Sequence, residues 1–468
     1  MQIEPQQLLD TLIKAIHQFS GPSYYDLRAV MERGHSLYME NGIITANKAY
    51  TEVGVHARSL HNGYWGSAST VDTSLDSLIE SLQHSFQLAR IESKNSGKTR
   101  VRELSDAKLG EQTYTWPARK PFENIDISEK ISDMKYIHSL ISKIDFVKTV
   151  VVRLTEWIEH RIVVTSDGGQ VIESKPYLYL GVSATGMING RRVSAYHVIG
   201  RIDGYTVFDN ETHEEIAEKV LLRMKDSGNA VEIKPGRYET IVSPHLIGTL
   251  IHEAFGHLAE ADLVSSGSVL AGRRGERIAP EFITVKDSPA VEHGFGNLRF
   301  DDEAVLARDA VIVDKGILQE FMVDREHAAE FGQKPTGNAR AEGYRVRPLI
   351  RMRNTIVEPG DWTLEEMIED IEHGVLLGIP LGGEASLDGT FQVGLQNAYE
   401  IRRGEIVRPI LASTLSGNSI EILANAVALS RDFEVDWGYC GKIQTVPVSS
   451  GGPYLRVSKE GAPVIGSV

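Results

Sequence analysis

Two histidines and three acidic residues lie within one short segment, residues 252–262 (HEAFGHLAEAD). Imidazole nitrogens are common zinc ligands, and a carboxylate can accept a proton from water during hydrolysis. A His-Glu pair followed by a second histidine is typical of zinc hydrolases, in which the histidines bind the ion and the glutamate acts as general base. These residue types predict a metal site formed by His252 and His257, with Glu253 as the base.

The spacing of the two histidines places a condition on the backbone. The common zinc hydrolase motif has its histidines four residues apart, whereas His252 and His257 are five apart. A regular α-helix would turn their side chains about 140° from each other, too far to bind one small ion. A π-helical turn, or an early helix end between Glu253 and His257, would bring them together, and Gly256 gives the backbone freedom for it. The sequence predicts one of these two irregularities.

A third protein ligand is required, because a catalytic zinc ion usually has three protein ligands and one water molecule. The single cysteine, Cys440, lies in a glycine-flanked segment, residues 437–441 (WGYCG). A thiolate binds zinc strongly, but a free cysteine is more often a small buried apolar side chain. Glu260 and Asp262 are close in sequence, yet such carboxylates more often contact the ligands or solvent than the metal. The residue types alone leave the third ligand open.

The elements that must position these residues indicate an α+β fold. Ser243 and Pro244 form a strong helix start, so a helix that begins at Pro244 should carry the histidine motif. The N-terminal half lacks the regular strand–helix alternation of parallel α/β proteins. Its hydrophobic periodicity predicts helices near residues 8–16, 72–93, 128–141 and 212–225, and strands near 37–44, 52–59, 146–153, 161–165 and 177–198.

The C-terminal half is mostly strand-like. Hairpin turns are predicted at residues 314–316 and 403–404, and Thr363 with Glu366 forms a helix-capping box. We therefore expect an N-terminal α+β domain of mixed helices and antiparallel strands, residues 1–228, with a subdomain break near 95–121. The second domain, residues 229–468, should be mostly antiparallel β structure that carries the metal-site helix.

Composition and charge argue against several classes of function. The 468 residues include 49 Lys and Arg against 64 Asp and Glu, and the net charge of -15 would repel a nucleic-acid backbone. There is no apolar run near the roughly 18 residues of a membrane span, no signal-peptide pattern at the start, and a cysteine content typical of a reducing compartment. Residues 97–99 (GKT) do not form a phosphate loop, because Glu92 occupies the position of the required glycine. We expect a cytoplasmic protein that contacts neither membrane nor nucleic acid directly.

Several segments together resemble the TldD/PmbA family. The matching segments are residues 252–262, 335–344 (PTGNARAEGY), 351–360 (RMRNTIVEPG), 411–418 (LASTLSGN) and 439–442 (YCGK). The resemblance is clear from about residue 235 onward and looser over residues 40–70. It implies a zinc metalloprotease in which Zn²⁺ is bound by His252, His257 and Cys440.

The resemblance also implies a mechanism, substrates and partners. Glu253 would be the general base, acting on unfolded or small peptides that bind as an added, extended strand. Of the two subunit types in this family, only the TldD type keeps the HExxxH motif, and this chain keeps it. The resemblance therefore implies a catalytic subunit with an enclosed chamber, in a hetero-oligomer with a paralogous subunit that lacks the motif, or in a homodimer.

Two other functions remain open from the sequence. A non-catalytic peptide-binding scaffold would hold a structural metal in a closed site with four protein ligands. A hydrolase of small non-peptide amides would keep the same metal chemistry. The sequence also leaves open the role of three basic residues, Arg273, Arg274 and Arg277, which could clamp a substrate or be solvated. Two glycine-rich segments, residues 381–383 and 450–452, could admit a peptide backbone or form turns.

Overall fold

The computed structural model describes residues 3–95, 101–106, 111–412 and 414–466. They form helices and mostly antiparallel sheets, which confirms the predicted α+β fold. Part of the predicted subdomain break near residues 95–121, and with it residues 97–99, lies outside the described residues. Within the described ranges, no helix is both long and apolar enough to cross a lipid bilayer.

A seven-stranded sheet forms the frame of the N-terminal half. Its strands are β1 (Tyr24–Glu40), β2 (Ile43–His61), β3 (Tyr64–Thr70), β4 (Glu111–Thr115), β5 (Val147–Thr165), β6 (Gln170–Ile188) and β7 (Arg191–Arg201). The order is β3-β2-β1-β5-β6, and the far edge of β6 pairs with β7 in antiparallel and with β4 in parallel orientation. Asn41 and Asn62 have positive φ values of 48° and 51°, at the hairpin turns that their Asn-Gly sequences favour.

Strand β5 is longer than the sequence pattern indicates. The β-branched runs at residues 146–153 and 161–165 are two parts of one 19-residue strand. The residues between them include two buried acids, Glu156 and Glu159. Lys130 lies 2.6 Å from Glu156, and Arg161 lies 2.7 Å from Glu159, so both carboxylates are paired inside the protein. Strand prediction from apolar residues alone misses a segment whose buried positions are charged.

Helices cover one face of this sheet. They are α1 (Pro5–Gln18), α2 (Leu75–Asn95), α3 (Ile127–Ser142), α4 (Val207–Asn210) and α5 (His213–Asn229), with a 3₁₀ turn at Phe122–Asn124. Because side chains alternate along a strand, Val152 and Ile162 of β5 pack in the apolar clusters beneath these helices. Trp157 and Val163 point to the opposite face of the sheet and pack against Phe295 and Phe300 of the C-terminal half. Strand β5 therefore has side chains packed on both faces of the sheet.

Buried ion pairs also join the two halves. Arg58 of β2 contacts Asp26 of β1 at 2.6 Å and Glu303 of the C-terminal half at 3.2 Å, and all three side chains are at most 7% exposed. Arg161 contacts Asp302 at 2.6 Å. Buried charges are costly unless each finds a partner, and here the partners lie across the contact between the halves. We call this set of five residues the charged seam.

The C-terminal half contains a large mixed sheet and a smaller antiparallel one. Its strands are β8 (Val231–Glu232), β9 (Glu239–Val242), β10 (Val285–Ser288), β11 (Ala310–Asp314), β12 (Ile317–Leu318), β13 (Ala339–Arg340), β14 (Leu349–Ile350), β15 (Asn354–Val357), β16 (His373–Leu377), β17 (Pro380–Ala385), β18 (Thr390–Leu395), β19 (Ala398–Arg402), β20 (Glu405–Leu411), β21 (Thr414–Asn418), β22 (Ala426–Lys442), β23 (Gln444–Val457) and β24 (Val464–Gly466). The large sheet has the order β12-β11-β10-β15-β23-β9-β16-β19-β20-β8, with β22 paired to β23. The smaller sheet has the order β17-β18-β21-β24, and β13 pairs with β14. Most pairs are antiparallel as expected, although β9–β16, β15–β23 and β8–β20 are parallel.

Short helices fill the loops of this half. They are α6 (Pro244–Ile251), α7 (Ala261–Ser265), α8 (Arg325–Phe331), α9 (Leu364–Ile368) and α10 (Ser419–Ala424). Both predicted hairpin turns are present, with positive φ at Lys315 and Arg403, and Thr363 and Glu366 form the expected capping box. The helix that leads into the histidine motif, α6, packs across β23 in the large sheet.

The contact between α6 and β23 explains one glycine-rich segment. A Cβ atom on Gly248 of α6 would lie 2.8 Å from the main-chain nitrogen of Gly451. A Cβ atom on Gly452 would lie 2.9 Å from Ile247. Residues 450–452 therefore belong to a strand on which a helix backbone packs closely, and they do not form a turn.

Candidate metal centre

The helix that begins the site starts as predicted. Pro244 is its first residue, and the Ser243 hydroxyl accepts a hydrogen bond from the Leu246 amide at 3.2 Å. The α-helix ends at Ile251 and continues as a five-residue π-helical turn, His252–Gly256. The amide of His257 donates to the carbonyl of His252, five residues back, which is the bond that defines the wide turn. The predicted irregularity between the histidines is confirmed.

Gly256 is needed in this turn because it has no side chain. Its φ of -58° is an ordinary helical value, so the turn does not need the conformational freedom of glycine. A Cβ atom at this position would instead lie 2.3 Å from the Met352 sulfur. The absence of a side chain allows the turn to pack against the segment that contains Met352.

We predict that Gly256→Ala destabilises the protein by about 1 to 3 kcal/mol, because the added methyl group overpacks a buried contact. Equilibrium denaturation measures this loss. Gly343→Ala is the matched control, since a Cβ atom there meets nothing within 4 Å. The cost should fall when Met352 is also replaced by alanine, and an equal cost in both backgrounds would show that the methyl group does not act through Met352.

The wide turn brings three potential ligands together. One ligand atom from each of His252, His257 and Cys440 lies within 4.8 Å of the others. The Cys440 Sγ atom is 3.4 Å from His257 Nε2, and the two imidazole rings are 5.5 Å apart between centroids. Cys440 is only 1% exposed, as a buried apolar side chain would be, but its sulfur faces the histidines.

The donor set suits a zinc ion. His252 is 4% exposed, and neither of its ring nitrogens has a hydrogen-bond partner within bonding geometry. A buried imidazole without a partner is costly, and a metal ion at this position would remove that cost. Two imidazoles and one thiolate are ligands that zinc prefers. The residues present therefore fit the metal that the motif implies.

The electrostatics of the cluster favour a thiolate. Burial raises the pKa of Cys440, but the neighbouring imidazoles of His252 and His257 outweigh burial and lower the pKa to about 4. Burial lowers the pKa of His257, yet Glu260 and Cys440 more than reverse this effect and raise it to about 10. The thiolate is the form of cysteine that binds metals, and a metal ion would replace the proton on His257 Nε2.

Arg351 fixes the backbone that presents Cys440. This fully buried arginine donates one hydrogen bond to the Cys440 carbonyl and another to the Gln444 carbonyl, each at 2.6 Å. It therefore closes the end of the β22–β23 hairpin. Arg351 lies in one of the segments that resemble the family, residues 351–360, but the resemblance does not say what this arginine does. The structure shows that it holds the Cys440 carbonyl, 89 residues away in the sequence.

Glu253 projects from the wide turn into a cavity. Its side chain is 34% exposed, and its Oε2 atom lies 3.8 Å from His257 Nε2. The cavity has a volume of about 280 Å³ and is also lined by His252. Residues from both halves form its walls, including Tyr196 and Arg223 of the N-terminal half and Pro380 and Tyr439 of the C-terminal half. Glu253 is thus the carboxylate of the motif that faces open space.

His245 is a cavity residue that the sequence analysis missed. It is the second residue of α6, seven residues or about two helical turns before His252, and it lines the same cavity. Asp436 is 2.7 Å from its Nδ1 and Glu434 is 2.9 Å from its Nε2. Burial lowers the pKa of His245, but these two carboxylates raise it to about 10, so the ring is an imidazolium at neutral pH. The spacing of seven residues from His252 is the signal that could have identified it.

The remaining candidates lie outside the converging set of ligands. Glu260 is fully buried and accepts a hydrogen bond from His257 Nδ1 at 2.8 Å, and Asp262 pairs with Lys442 at 2.7 Å. Arg273 contacts Glu276, Arg274 donates to the Gln319 carbonyl, and Arg277 donates to the Lys315 carbonyl. None of these arginines lines the cavity. Residues 381–383 lie in β17, and Gly382 reaches the cavity wall.

Family models match most of the chain. The PmbA/TldA metallopeptidase domain 1 matches residues 25–89, the central domain matches 120–227, and the C-terminal domain matches 235–461. Together with the fold and the converging His, His and Cys side chains, these matches define a metallopeptidase. The chain belongs to the TldD/PmbA family of metalloproteases.

Individual relatives agree over nearly the full length. A zinc metalloprotease TldD homolog from Saccharolobus solfataricus is 33% identical over 94% of this chain and 96% of that protein. A metalloprotease from Methanothermobacter thermautotrophicus is 33% identical over 93% of this chain and 94% of that protein. The crystal structure of TldE from Thermococcus kodakarensis has a TM-score of 0.76 at 19% identity, covering 98% of this chain and 100% of that chain. At this identity the last comparison concerns the fold alone.

Proposed function

We propose that this protein is a zinc-dependent peptidase that hydrolyses unfolded or small peptides. The observation that carries the proposal is the convergence of His252, His257 and Cys440 beside a cavity that Glu253 also lines. A metal ligand set next to a carboxylate outside that set and an open space is an arrangement that suits hydrolysis of an amide. The name of the Saccharolobus relative supports zinc as the metal.

The three ligands would hold the ion, and Glu253 would move the protons. Zinc supplies Lewis acidity, which polarises a carbonyl and makes water a better nucleophile near neutral pH. Glu253 accepts the proton of the attacking water and then donates it to the departing nitrogen, so that the peptide bond breaks to give a neutral amine and not the unstable anion R–NH⁻. Its 3.8 Å distance from His257 Nε2 places this carboxylate next to the ligand cluster without making it part of the cluster.

An open metal site distinguishes an enzyme from the scaffold hypothesis. A structural zinc site is closed by four protein ligands. Among the residues that the structure describes, three His, Cys, Asp or Glu side chains converge at this point. The fourth position would be left for water or substrate, which supports the catalytic function over the structural one.

We place the peptide along strand β17. This strand is the edge of the smaller sheet, its residues after Pro380 are exposed, and Pro380 and Gly382 line the cavity. An extended peptide could pair with such an edge through main-chain hydrogen bonds, which recognise no particular side chain. This mode suits substrates that lack tertiary structure.

The proposal includes a partner and a compartment. We infer that the chain works in a hetero-oligomer with a paralogous subunit that lacks the histidine motif, or as a homodimer, with the site in an enclosed chamber. The motif on this chain makes it the catalytic subunit of such an assembly. Its single cysteine, kept as a thiolate ligand, suits the reducing cytoplasm.

Peptide cleavage by the zinc-loaded protein tests the function. We expect a mixture of unstructured peptides to give new termini by mass spectrometry, and we expect a stably folded protein in the same reaction to remain intact. Removal of zinc by a chelator should stop cleavage, and restored zinc should return it. Zinc-bound protein that leaves every peptide intact would contradict the proposal and favour the scaffold, whereas turnover confined to small amides would favour the third hypothesis.

A further inference from the structure

Strand β22 contacts the His257 ring through Cys440 and contacts the ring's carboxylate partner, Glu260, through Lys442. Cys440 and Lys442 are two residues apart on this strand, so their side chains project from the same face. The Cys440 sulfur lies 3.4 Å from His257 Nε2. The Lys442 ammonium lies 3.1 Å from Glu260 Oε2, and the same oxygen accepts the hydrogen bond from His257 Nδ1 at 2.8 Å. One strand therefore brings a thiol to one nitrogen and a cation to the carboxylate that holds the other.

We propose that Lys442 is a positioning residue for the metal ligand His257 and acts through Glu260. The Glu260 carboxylate, held by Lys442, keeps the proton of His257 on Nδ1 and leaves Nε2 directed at the position beside Cys440. This inference rests on the proposed function, because it assigns Nε2 to the metal. It adds a residue to which neither the motif nor the comparisons give a role.

The burial of Glu260 explains why a cation is needed there. Glu260 is 0% exposed, and a buried carboxylate is unfavourable without a charged partner. Lys442 donates hydrogen bonds to both carboxylate oxygens of Asp262, at 2.8 and 2.7 Å, and to the Ile350 carbonyl at 3.2 Å, and it forms an ion pair with Glu260 at 3.1 Å. Asp262 therefore holds the lysine in place, and the lysine holds Glu260. A mobile ammonium group would not fix the carboxylate in this way.

Zinc affinity, measured by competition with a chromophoric chelator, tests the proposal without reference to activity. Residues that orient a ligating histidine typically change metal affinity by about 10- to 100-fold when they are replaced. We expect Lys442→Met to weaken zinc binding within that range and to change the visible spectrum of the cobalt-substituted protein. Lys286→Met is the matched control, because Lys286 is also held by two carboxylates, Glu358 at 2.8 Å and Asp309 at 3.5 Å, at a surface away from the site.

The outcomes separate this proposal from the proposed function. Zinc that fails to bind the wild-type protein would overturn the function itself. Zinc that binds the wild type and Lys442→Met with equal affinity would overturn the role of Lys442 alone.

A second set of variants covers the case in which Lys442→Met does not fold. Glu260→Gln should also weaken zinc binding at least tenfold, because the neutral amide is a weaker acceptor for His257 Nδ1–H. The double variant Glu260→Gln/Lys442→Met removes both charges together and should bind zinc no more weakly than Glu260→Gln. A further loss in the double variant, or no loss in Glu260→Gln, would show that Lys442 does not act through Glu260.

Discussion

The Glu253→Gln protein is expected to retain its zinc and to hydrolyse peptides about 10² to 10⁴ times more slowly than the wild type. Glutamine has nearly the same shape as glutamate, so the π-helical turn and the ligand cluster should be undisturbed. The amide cannot accept the proton of the attacking water, and this step is lost. Zinc content per chain and the rate of cleavage of one unstructured peptide, measured on the same preparation, check both halves of the prediction.

Glu80→Gln is the control for this substitution. Glu80 lies on α2, its side chain is 67% exposed, and it is outside the cavity. This variant should keep full activity and full zinc content. Wild-type turnover in Glu253→Gln would refute its assignment as the base. Loss of zinc in the same variant would instead indicate that Glu253 contributes to metal binding.

The Cys440→Ala protein is expected to lose most of its zinc under dialysis that leaves about one zinc ion per chain in the wild type. Two imidazoles alone hold zinc weakly, and the lost thiolate is the strongest donor of the set. Elemental analysis of both proteins after identical dialysis gives the result directly. Peptide hydrolysis should fall with the zinc content, since Glu253 would remain in place without the ion that it serves.

Val446→Ala controls for the loss of volume in this hairpin. Val446 is the strand partner of Cys440, is 0% exposed, and donates no ligand atom. Its truncation should cost about 1 to 3 kcal/mol of stability, about twice the cost of deleting one buried methyl group, while zinc remains bound. Equal zinc content in Cys440→Ala and wild type would remove Cys440 from the ligand set and reopen the choice of the third ligand.

The local chemistry of the site was predictable from neighbouring residues. The helix start at Ser243 and Pro244 follows from capping, and the wide turn follows from the need to align His252 with His257 over five residues. The hairpins and the capped helix likewise depend on residues close in sequence. The resemblance to a known family was needed to select Cys440, because nothing near residue 440 indicates the distant histidines.

What the sequence could not give are the contacts between distant segments. Arg351 holds the Cys440 carbonyl, and Met352 occupies the space that Gly256 leaves, but these pairings depend on how the strands assemble. The continuous strand β5 was missed for a related reason. Its central acids, Glu156 and Glu159, can be buried because Lys130 and Arg161 neutralise their charges. A search for apolar residues does not detect such paired charges.

The charged seam has a consequence for how the molecule unfolds. If the two halves separated, Arg58 and Arg161 would lose Glu303 and Asp302 as partners, and the large aromatic side chains beside them would enter water. Neither half has a low-cost separated state, so melting should be cooperative across the whole chain. The proposed metal ligands and the proposed base, which all lie in the second half, should thus depend on the first half for their folding. A fragment limited to the second half would expose Phe295 and Phe300, which pack against the first half, and would be prone to aggregation.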